Sequence, residues 1–571
     1  MGIPHLAATL EPYGVVRPLR DEAVVIDGPA LAYHILHECR LNGYLQPSYR
    51  LLGETAIAWL DEVSRQRIDV QAIYFDGHLP LAKRRVRMER LLRSTTQIAH
   101  LRSSNPQGCP VRQLACGHEF GSADMFAKGA VASRSFADPA FLVPAVIEAL
   151  KSSVQYRQRV LMVPGEADTF CARHALSNGG VVLTSDSDLL VHEVGDAEVV
   201  FFRDIQRQVD STIMVCSYGP KRICEQLGQS PTDGLVRLAY EQKRLQHASL
   251  AQILQACSSP PLHEKEYAEF CEDYRSSDIS QIPLPCGHGP LENGSLDPRL
   301  AELAIQLQST SIATSHAHMF LPVLTEDPTR GNAWEHSTSV RQLAYSLLIG
   351  PDPTVSVLEF RRIQSATQKG RRVELDGPDL QGYAIELLAP LHKVSAIVPG
   401  HNSRFWLLAC LVLDVIECQK RDKGSLAWSI FQQPAKSPAA NRSRISWDTV
   451  HAVAQLQAMC YSLRLLRQAL SVCSKVPANI KPLQQYLEQL PELNDFPDVD
   501  SFNDGARKLS EYNGLVVSLE QCLGSQKLRQ NKTDHGINAT ASGVGKPANQ
   551  ALPTEPGHSI RRNMFDVLSL E

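Results

Sequence analysis

Six acidic residues in four short segments are the clearest candidates for chemistry in this 571-residue sequence. In each segment an apolar run ends at a turn or at the start of a helix: VVIDG, AIYFDG, LMVPGEAD and VVLTSDSD. The six candidates are Asp27, Asp76, Glu166, Asp168, Asp186 and Asp188. Gathered carboxylates repel one another, by roughly 4 kcal/mol for a pair about 4 Å apart at an effective dielectric of about 20. A fold that gathers six needs divalent cations, and hard carboxylate oxygens favour Mg²⁺ or Mn²⁺.

The apolar runs beside these acids predict alternating strands and helices. Strands are predicted at residues 24–28, 70–75, 160–163, 181–184 and 198–202, and helices at 51–64 and between Gly165 and Gly179. Such alternation is typical of an α/β fold with a mostly parallel, twisted sheet flanked by helices. Ligands of these sheets bind beyond the carboxyl ends of the strands, which is where all four segments place their acids.

As a set, the six acids suit phosphodiester hydrolysis. Two divalent ions about 4 Å apart can activate a water and stabilise the leaving oxygen. We therefore predict that all six are catalytic and metal-binding residues for two Mg²⁺ or Mn²⁺ ions. Taken singly, each acid has an ordinary structural explanation, because Asp-Gly after a strand favours a turn and an acid in a helix's first turn favours a cap. The prediction depends on the set.

A basic run follows Asp76 on a predicted helix. Its candidate nucleic-acid-binding residues are Lys83, Arg84, Arg85, Arg87, Arg90 and Arg93. Alone, such a run is usually a solvated helix face. Beside an acidic pocket that repels polyanions, it offers a cationic approach for a phosphate backbone. The formal net charge of −4 gives no global sign of nucleic-acid binding, so a polyanion site must be local.

The four segments resemble the 5′-nuclease superfamily of flap endonuclease and XPG, which has a PIN-like core. MGI at the start, the strand ending in Asp27 and FDGxxPxxK at 75–83 match its first conserved block, and PGEAD at 164–168 and TSDSDLL at 184–190 match its second. The resemblance covers roughly residues 1–205. It implies that the six acids form the metal site, and that Lys83 and Arg87 grip the scissile phosphate.

One departure separates the chain from flap endonuclease. That pattern continues with a seventh acid in Gly-x-Asp-Tyr and a helix–hairpin–helix, whereas here ICEQLG leads into LVRLAYE with no such acid. The chain resembles the Asteroid family in the loss of the seventh acid and in the Glu-Ala-Asp form of the second block. The long helical C-terminal half and the LEFRR segment with its hairpin also resemble that family. This family implies a structure-specific DNA endonuclease that acts on single strands or overhangs in DNA repair.

The sequence predicts three parts. Residues 1–215 form the nuclease domain, in which 94–160 is a long polar insertion or arch. Residues 216–525 form a mainly helical Asteroid-type region, with helices at 334–349, 405–420, 447–475 and 480–490. Residues 526–571 form a disordered tail, in which 561–571 are either a motif for a protein partner or a frayed terminus.

Composition limits the location of the protein. The most apolar stretch, residues 405–418, is short and contains Asp414 and Glu417, so we predict a buried helix and no membrane partner. Fourteen cysteines without regular spacing indicate reduced thiols in the cytosol or nucleus. A DNA role leads us to expect nuclear residence, with cytoplasmic residence also open.

Three functions remain in competition. The leading one is a Mg²⁺-dependent endonuclease for single-stranded, flapped or overhanging DNA. The second is a catalytically eroded scaffold in messenger-RNA or protein-complex regulation, suggested by the missing seventh acid. The third is a nuclease whose substrate is RNA, although no residue visibly reads a 2′-hydroxyl.

Overall fold

The structure is a computed structural model in two compact units, Met1–Leu519 and Glu520–Glu571. It describes residues 3–80, 83–114, 121–126, 137–230, 234–274, 296–308, 316–349, 355–375, 380–433, 443–473, 476, 478–509 and 517. The predicted tail and its 561–571 motif lie outside these residues. All elements below belong to the first unit.

An eight-stranded sheet forms the core of the N-terminal half. Its strands are β1 (Val15–Pro18), β2 (Ala23–Asp27), β3 (Asp69–Asp76), β5 (Val160–Val163), β6 (Val181–Thr184), β7 (Glu198–Phe201), β8 (Gln206–Arg207) and β9 (Ile213–Tyr218), with β4 (Cys109–Pro110) outside the sheet. The order is β1-β9-β7-β6-β2-β3-β5, with β8 on β9. The five strands from β7 to β5 are parallel, while β9 runs antiparallel to β7 and β1. The predicted mostly parallel α/β fold is confirmed.

Helices cover the sheet because the strands are apolar on both faces. In this half they are α1 (Leu6–Leu10), α2 (Gly28–Leu41), α3 (Tyr49–Ser64), α4 (Arg84–Ser104), α5 (Leu142–Ser152), α6 (Ala167–Asn178), α7 (Pro220–Gln226), α8 (Val236–Arg244), α9 (Leu250–Cys257) and α10 (Glu264–Tyr274). Cys171 and Ala175 of α6 pack with Val25 and Ala72 of the sheet. Helices α2, α3 and α5 contact one another.

The C-terminal region is mainly helical, as predicted. Its elements are α11 (Pro298–Gln308), β10 (His316–Phe320), α12 (Thr338–Ile349), β11 (Ser356–Phe360), β12 (Arg371–Val373), α13 (Leu380–Ile397), α14 (Ser403–Lys420), α15 (Leu426–Phe431), β13 (Arg444–Ile445), α16 (Trp447–Val472), α17 (Lys481–Leu487) and α18 (Val499–Arg507). The long helix α16 is largely buried and contacts α12, α14, α15 and α17. No helix within the described ranges is long and apolar enough to cross a membrane.

The predicted hairpin around LEFRR forms between β11 and β12, but it also pairs in parallel with β10. This small sheet packs on the basic helix α4, where Phe360 and Ile363 meet Met88 and Leu91. The acid of LEFRR, Glu359, is buried and bonds to Arg341, Arg361 and the Tyr345 hydroxyl. A segment that looks charged in the sequence is therefore part of the core.

The stretch of residues 94–160 is the one predicted as a polar insertion or arch. It contains the second half of α4 and all of α5, whose apolar face is buried against α3. Glu148 on α5 forms an ion pair with Arg464 of α16, and Phe141 stacks on Tyr461 at 4.2 Å. The stretch thus joins the sheet to the C-terminal region.

Candidate functional site

Four neighbouring strands bring the predicted acids to one edge of the sheet. In the order β6-β2-β3-β5, β2 ends at Asp27, β3 ends at Asp76, and β5 and β6 end just before the other four acids. Two glycines permit this close approach. A Cβ atom on Gly28 would lie 2.7 Å from the Phe75 ring, and one on Gly77 would lie 2.2 Å from the Val163 carbonyl oxygen.

Asp27 is the most enclosed of the acids, at 5% exposure. It caps α2 by accepting a hydrogen bond from the Ala30 N–H at 3.1 Å, and its other oxygen accepts from the Thr184 hydroxyl at 2.7 Å. Burial, with a smaller effect from the charge of Asp186, raises the pKa of Asp27 to about 6 despite these hydrogen bonds. The cap explains its backbone position, but a cap at a helix N-terminus needs no such desolvation.

Asp76 crosses to the next helix and accepts a hydrogen bond from the Ala167 N–H at 2.7 Å. Burial raises its pKa to about 7, with further contributions from the charges of Asp27 and Glu166. Asp168 lies among the same groups. Burial first, and then the charges of Asp27, Asp186 and Asp76, raise its pKa well above the ordinary value. These mutual effects show that the carboxylates share one electrostatic environment.

Asp186 and Asp188 complete the cluster from the β6 end. The Asp186 carboxylate accepts from the Asp188 N–H at 3.1 Å, and Asp188 accepts from the Ile3 N–H at 2.9 Å. Burial, together with the charge of Asp186, raises the pKa of Asp188 to about 6. The backbone of Ile3, the third residue of the MGI segment, is therefore in direct contact with Asp188.

Lys83 is the cation that reaches the cluster, through an ion pair with Glu166. Burial opposes its charge, but the carboxylates of Glu166, Asp168 and Asp188 raise its pKa above the ordinary value. Its side chain is still 47% exposed, so the ammonium group can meet an incoming phosphate as well as the acids.

The donor set fits divalent metal ions of the hard type. All six donors are carboxylates, four of them with raised pKa values that reflect burial and like charge. No three of the six acids bring oxygens within 4.8 Å of one another. Among the described residues that spacing is met by His336, Asp414 and Cys418 in the C-terminal region. Mg²⁺ keeps several of its waters, so carboxylates that do not meet this spacing can still hold an ion through water.

The His336 group has a structural explanation of its own. His336 Nδ1 lies 2.6 Å from Asp414 Oδ1, and Ser425 donates to the other Asp414 oxygen at 2.6 Å. Burial raises the pKa of Cys418 to about 12, which keeps this thiol protonated. Its side chains thus satisfy one another in the helical core.

The basic residues of α4 have different surroundings from one another. Arg87 forms a two-pronged ion pair with Glu302 of α11 and lies 4.0 Å from the Phe320 ring centroid. Arg84 lies over the Phe360 ring at 5.3 Å, and Arg85 pairs with Glu89 on the exposed face. Glu302 neutralises the charge of Arg87, whose role as a phosphate grip stays a prediction. The sequence could not reveal a partner 215 residues away.

The two remaining arginines line separate cavities. Arg90 faces a cleft that also contains Asp76, whereas Arg93 borders a shallow cavity along the outer side of α4. The six basic residues therefore do not form one uniform patch. Lys83 pairs with Glu166, and Arg87 and Arg90 both line the cleft that contains Asp76.

Some residues at the site carried no signal in the sequence. The Tyr274 hydroxyl at the end of α10 hydrogen-bonds to Asp188, and burial together with the charge of Asp188 raises the Tyr274 pKa. Its ring lies 5.3 Å from that of His192, whose pKa burial lowers to about 4. The sequence showed no sign of the role of Thr184 either, because the hydrogen bond from its hydroxyl to Asp27 depends on the pairing of β6 with β2.

The helix that would deliver a seventh acid is α8, and it delivers none to the cluster. Its Glu241 is buried and pairs with Arg237 and Arg244, each at 2.7 Å. Its Gln242 donates to the Pro4 carbonyl at 2.9 Å. The helix thus supports the N-terminal segment that carries Ile3.

A family model described as XPG domain containing matches residues 138–375. The match supports the XPG/PIN-like nuclease superfamily. It includes Glu166, Asp168, Asp186 and Asp188, and it continues through α11 to β12 in the C-terminal region. The match suggests a nuclease-type function and nucleic-acid binding. A search of curated proteins found no match to the chain.

Proposed function

We propose that this protein is a metal-dependent endonuclease that hydrolyses phosphodiester bonds in single-stranded, flapped or overhanging DNA. The observation that carries the proposal is the meeting of six carboxylates at the ends of four neighbouring parallel strands. Asp27, Asp76, Glu166, Asp168, Asp186 and Asp188 would hold two Mg²⁺ or Mn²⁺ ions. Bound there, such ions supply a nucleophilic water and stabilise the leaving oxygen.

The chain's own groups have defined tasks in this reaction. The Thr184 hydroxyl and the Ala30 and Ile3 N–H groups fix the carboxylates. Lys83 balances the charge of Glu166 and lies within reach of a phosphate at the same edge. An electrostatic balance of this kind is needed because six bare carboxylates would repel a polyanion.

A preference for single strands agrees with two features. The sequence after β9 lacks the Gly-x-Asp-Tyr stretch that leads into the duplex-gripping helix–hairpin–helix of flap endonuclease, and the C-terminal region packs along α4, where Glu302 pairs with Arg87. We also propose that the protein belongs to the Asteroid family, acts in DNA repair and resides in the nucleus. Residues 561–571, which we propose bind a protein partner, lie outside the described part of the chain.

A catalytically eroded scaffold is the second candidate. It is favoured by α8, whose only nearby acid is committed to two arginines, and by the ion pair that Lys83 makes with Glu166. A scaffold has no need of metal, so Mn²⁺ should leave its melting temperature unchanged. A nuclease should be stabilised by Mn²⁺, since an ion that binds only the folded state raises stability.

A cleavage panel tests the proposal. Purified protein is incubated with end-labelled single-stranded, 5′-flapped, 3′-overhanging and fully duplex DNA, and with matched RNA, across a Mg²⁺ and Mn²⁺ titration. We expect metal-dependent cleavage of the DNAs that contain a single strand and little cleavage of the duplex. Efficient cleavage of RNA alone would show that the substrate is RNA instead of DNA. No cleavage with either metal would favour the scaffold.

A further inference from the structure

The His336 group lies in the helical C-terminal region, on elements that carry none of the six acids. The ligand atoms of His336, Asp414 and Cys418 all lie within 4.8 Å of one another. His336 is on the short 3-10 helix Ala333–Ser337, which leads into α12, and the other two are four residues apart on α14. Residues four apart share one face of a helix, so α14 presents both side chains to His336.

More polar groups meet one nitrogen of His336 than hydrogen bonding explains. Its Nδ1 atom lies 2.6 Å from Asp414 Oδ1, 3.1 Å from the side-chain nitrogen of Gln455 and 3.5 Å from Cys418 Sγ. An imidazole nitrogen has either one N–H or one lone pair, so it can serve only one of these three groups. If it donates to Asp414, it has no lone pair for the N–H of Gln455. A nitrogen, an oxygen and a sulfur that meet at one point are typical of a metal site.

Gln455 of α16 is the side chain that hydrogen bonds within the group leave unexplained. It is 5% exposed, and its Oε1 atom is buried without a hydrogen-bond partner among the described residues. An unpaired buried amide oxygen costs about 1–3 kcal/mol. Because a half-turn of the amide exchanges its oxygen and nitrogen, Oε1 can face the point where the other three side chains meet. Gln455 thus offers a fourth ligand atom.

The donor types distinguish this group from the six acids. An imidazole nitrogen and a thiol sulfur with two oxygen donors suit tetrahedral Zn²⁺, whereas Mg²⁺ takes oxygen ligands. The charges also match. The Asp414 carboxylate and a Cys418 thiolate carry two negative charges, which Zn²⁺ balances. Because Asp414 and Cys418 are both almost fully buried, a neutral total avoids the cost of an uncompensated buried charge.

Neighbouring groups hold the ligands in place. Ser425 donates to Asp414 Oδ2 at 2.6 Å, and this leaves Oδ1 directed toward His336. Hydrogen bonds of this kind orient the ligands of metal sites. Burial first, and then the charge of Asp414, raises the pKa of Cys418 to about 12, whereas the charge of Arg421 favours the thiolate. A bound metal ion deprotonates a coordinating thiol outright.

We propose that one structural Zn²⁺ ion binds in this group, with four ligands: His336, Asp414, Cys418 and Gln455. On binding, Cys418 releases its thiol proton to solvent, and His336 coordinates through Nδ1 as a neutral ring with its proton on Nε2. Four protein ligands leave no open position for a substrate, so the ion is structural. It would tie the start of α12 to α14 and α16. The site is independent of the proposed nuclease centre.

Cobalt provides the most specific test, because Co²⁺ takes the place of Zn²⁺ in tetrahedral sites and absorbs light. The full-length protein is expressed with Zn²⁺ or with Co²⁺ in the medium, since a buried ion enters as the region folds. It carries Asp186→Ala and Asp188→Ala, which remove two of the nuclease acids. We expect one Zn²⁺ ion per chain by elemental analysis. The cobalt protein should show a thiolate-to-cobalt charge-transfer band in the near ultraviolet, which carboxylates cannot produce.

Substitutions in this background locate the ion. Cys418→Ser should abolish the charge-transfer band. Cys410→Ser changes another buried cysteine of α14, so it is the matched control and should keep both the band and the bound metal. Gln455→Ala should lower the zinc affinity about 10-fold or more, measured by competition with a chelator. Circular dichroism verifies the fold of each variant.

X-ray absorption at the zinc edge adds a measurement that needs no variant at the site. It should show one sulfur among nitrogen and oxygen ligands. A folded background protein that binds neither zinc nor cobalt would overturn the proposal. A zinc shell without sulfur, or a Cys418→Ser variant that keeps the charge-transfer band, would also overturn it. None of these results bears on DNA cleavage, which is measured separately on the wild type.

Discussion

Thr184 donates its hydroxyl proton to Asp27 across 2.7 Å, and the same oxygen accepts the Asp186 N–H at 3.0 Å. One buried side chain thus joins the ends of β6 and β2 and holds two of the six acids in a fixed relation. It also stabilises the ionised form of Asp27, since this hydrogen bond lowers a pKa that burial raises. The geometry of the cluster therefore depends on a residue that is not itself acidic.

Replacing Thr184 by valine should impair the site while preserving its shape. The Asp27 pKa should rise above its value of about 6, because the hydrogen bond that lowers it is lost. The acidic limb of the pH–rate profile should then move to higher pH. Thr96→Val, which removes a hydroxyl bonded to a helix carbonyl far from the cluster, should leave the profile in place. An unchanged limb in Thr184→Val would contradict this role.

The stability of the metal-free protein should depend on the acids in a definite direction. Asp76 has a folded-state pKa of about 7 against an ordinary 3.8, so its proton is held more tightly in the folded state. Its favourable contribution is present below pH 3.8 and is lost as the pH rises through about 7. Asp76→Asn removes the loss of stability that the ionisation of Asp76 causes as the pH rises. In EDTA its melting temperature should exceed that of wild type by a margin that grows with pH.

The control for this measurement is Asp196→Asn, which changes an 88% exposed carboxylate. Its difference from wild type should stay small across the same pH range. If Asp76→Asn lowered the melting temperature at neutral pH, Asp76 would be a structural residue rather than a strained one. With added Mn²⁺ the wild type should instead have a higher melting temperature than Asp76→Asn, because metal ions stabilise the wild-type cluster.

The buried acid of LEFRR should matter for stability rather than for chemistry. Burial opposes the ionisation of Glu359, but Arg341 and Arg361 lower its pKa to about 2. Glu359→Gln leaves Arg341 without its charge partner and Arg361 with Glu335 alone, and removing one partner of a buried pair costs about 3–5 kcal/mol. Urea denaturation provides the measurement. Glu374→Gln, which removes the 67% exposed partner of Arg372, should cost less than about 1 kcal/mol.

Arg87 and Lys83 should give different results although both belong to the same basic run. Arg87→Ala should destabilise the protein, because Glu302 has only 10% of its side chain exposed and would lose its partner. The double variant Arg87→Ala, Glu302→Ala should recover part of that loss. Lys83→Ala should instead lower cleavage and the salt dependence of DNA binding with little effect on stability. Equal effects of both on binding would restore Arg87 as a phosphate contact.

Local pattern was enough to place the acids relative to their strands. Residues 160–163 and 181–184 were predicted as strands and are confirmed as β5 and β6, because short apolar runs bounded by turns have little alternative. The edge on which Asp27 and Asp76 meet followed from the rule for parallel sheets. The chemical roles of the six acids stay predictions.

Long-range pairing was what the sequence could not supply. The order β6-β2-β3-β5, the Glu302 partner of Arg87 and the Tyr274 neighbour of Asp188 all join residues far apart in the chain. The polar average of residues 94–160 hides α5, which is apolar and buried. Periodicity reports which face of an element is apolar, but it does not report what covers that face.

The most direct measurement compares single-turnover cleavage of a single-stranded oligonucleotide by the wild type and by the Asp186→Ala, Asp188→Ala variant. Both are assayed at matched concentrations with Mg²⁺ and with EDTA. We expect cleavage by wild type in Mg²⁺ alone, and a variant that is folded but inactive. Equal cleavage by the two proteins, or a wild type as inactive as the variant, would contradict a metal-dependent site built from these acids.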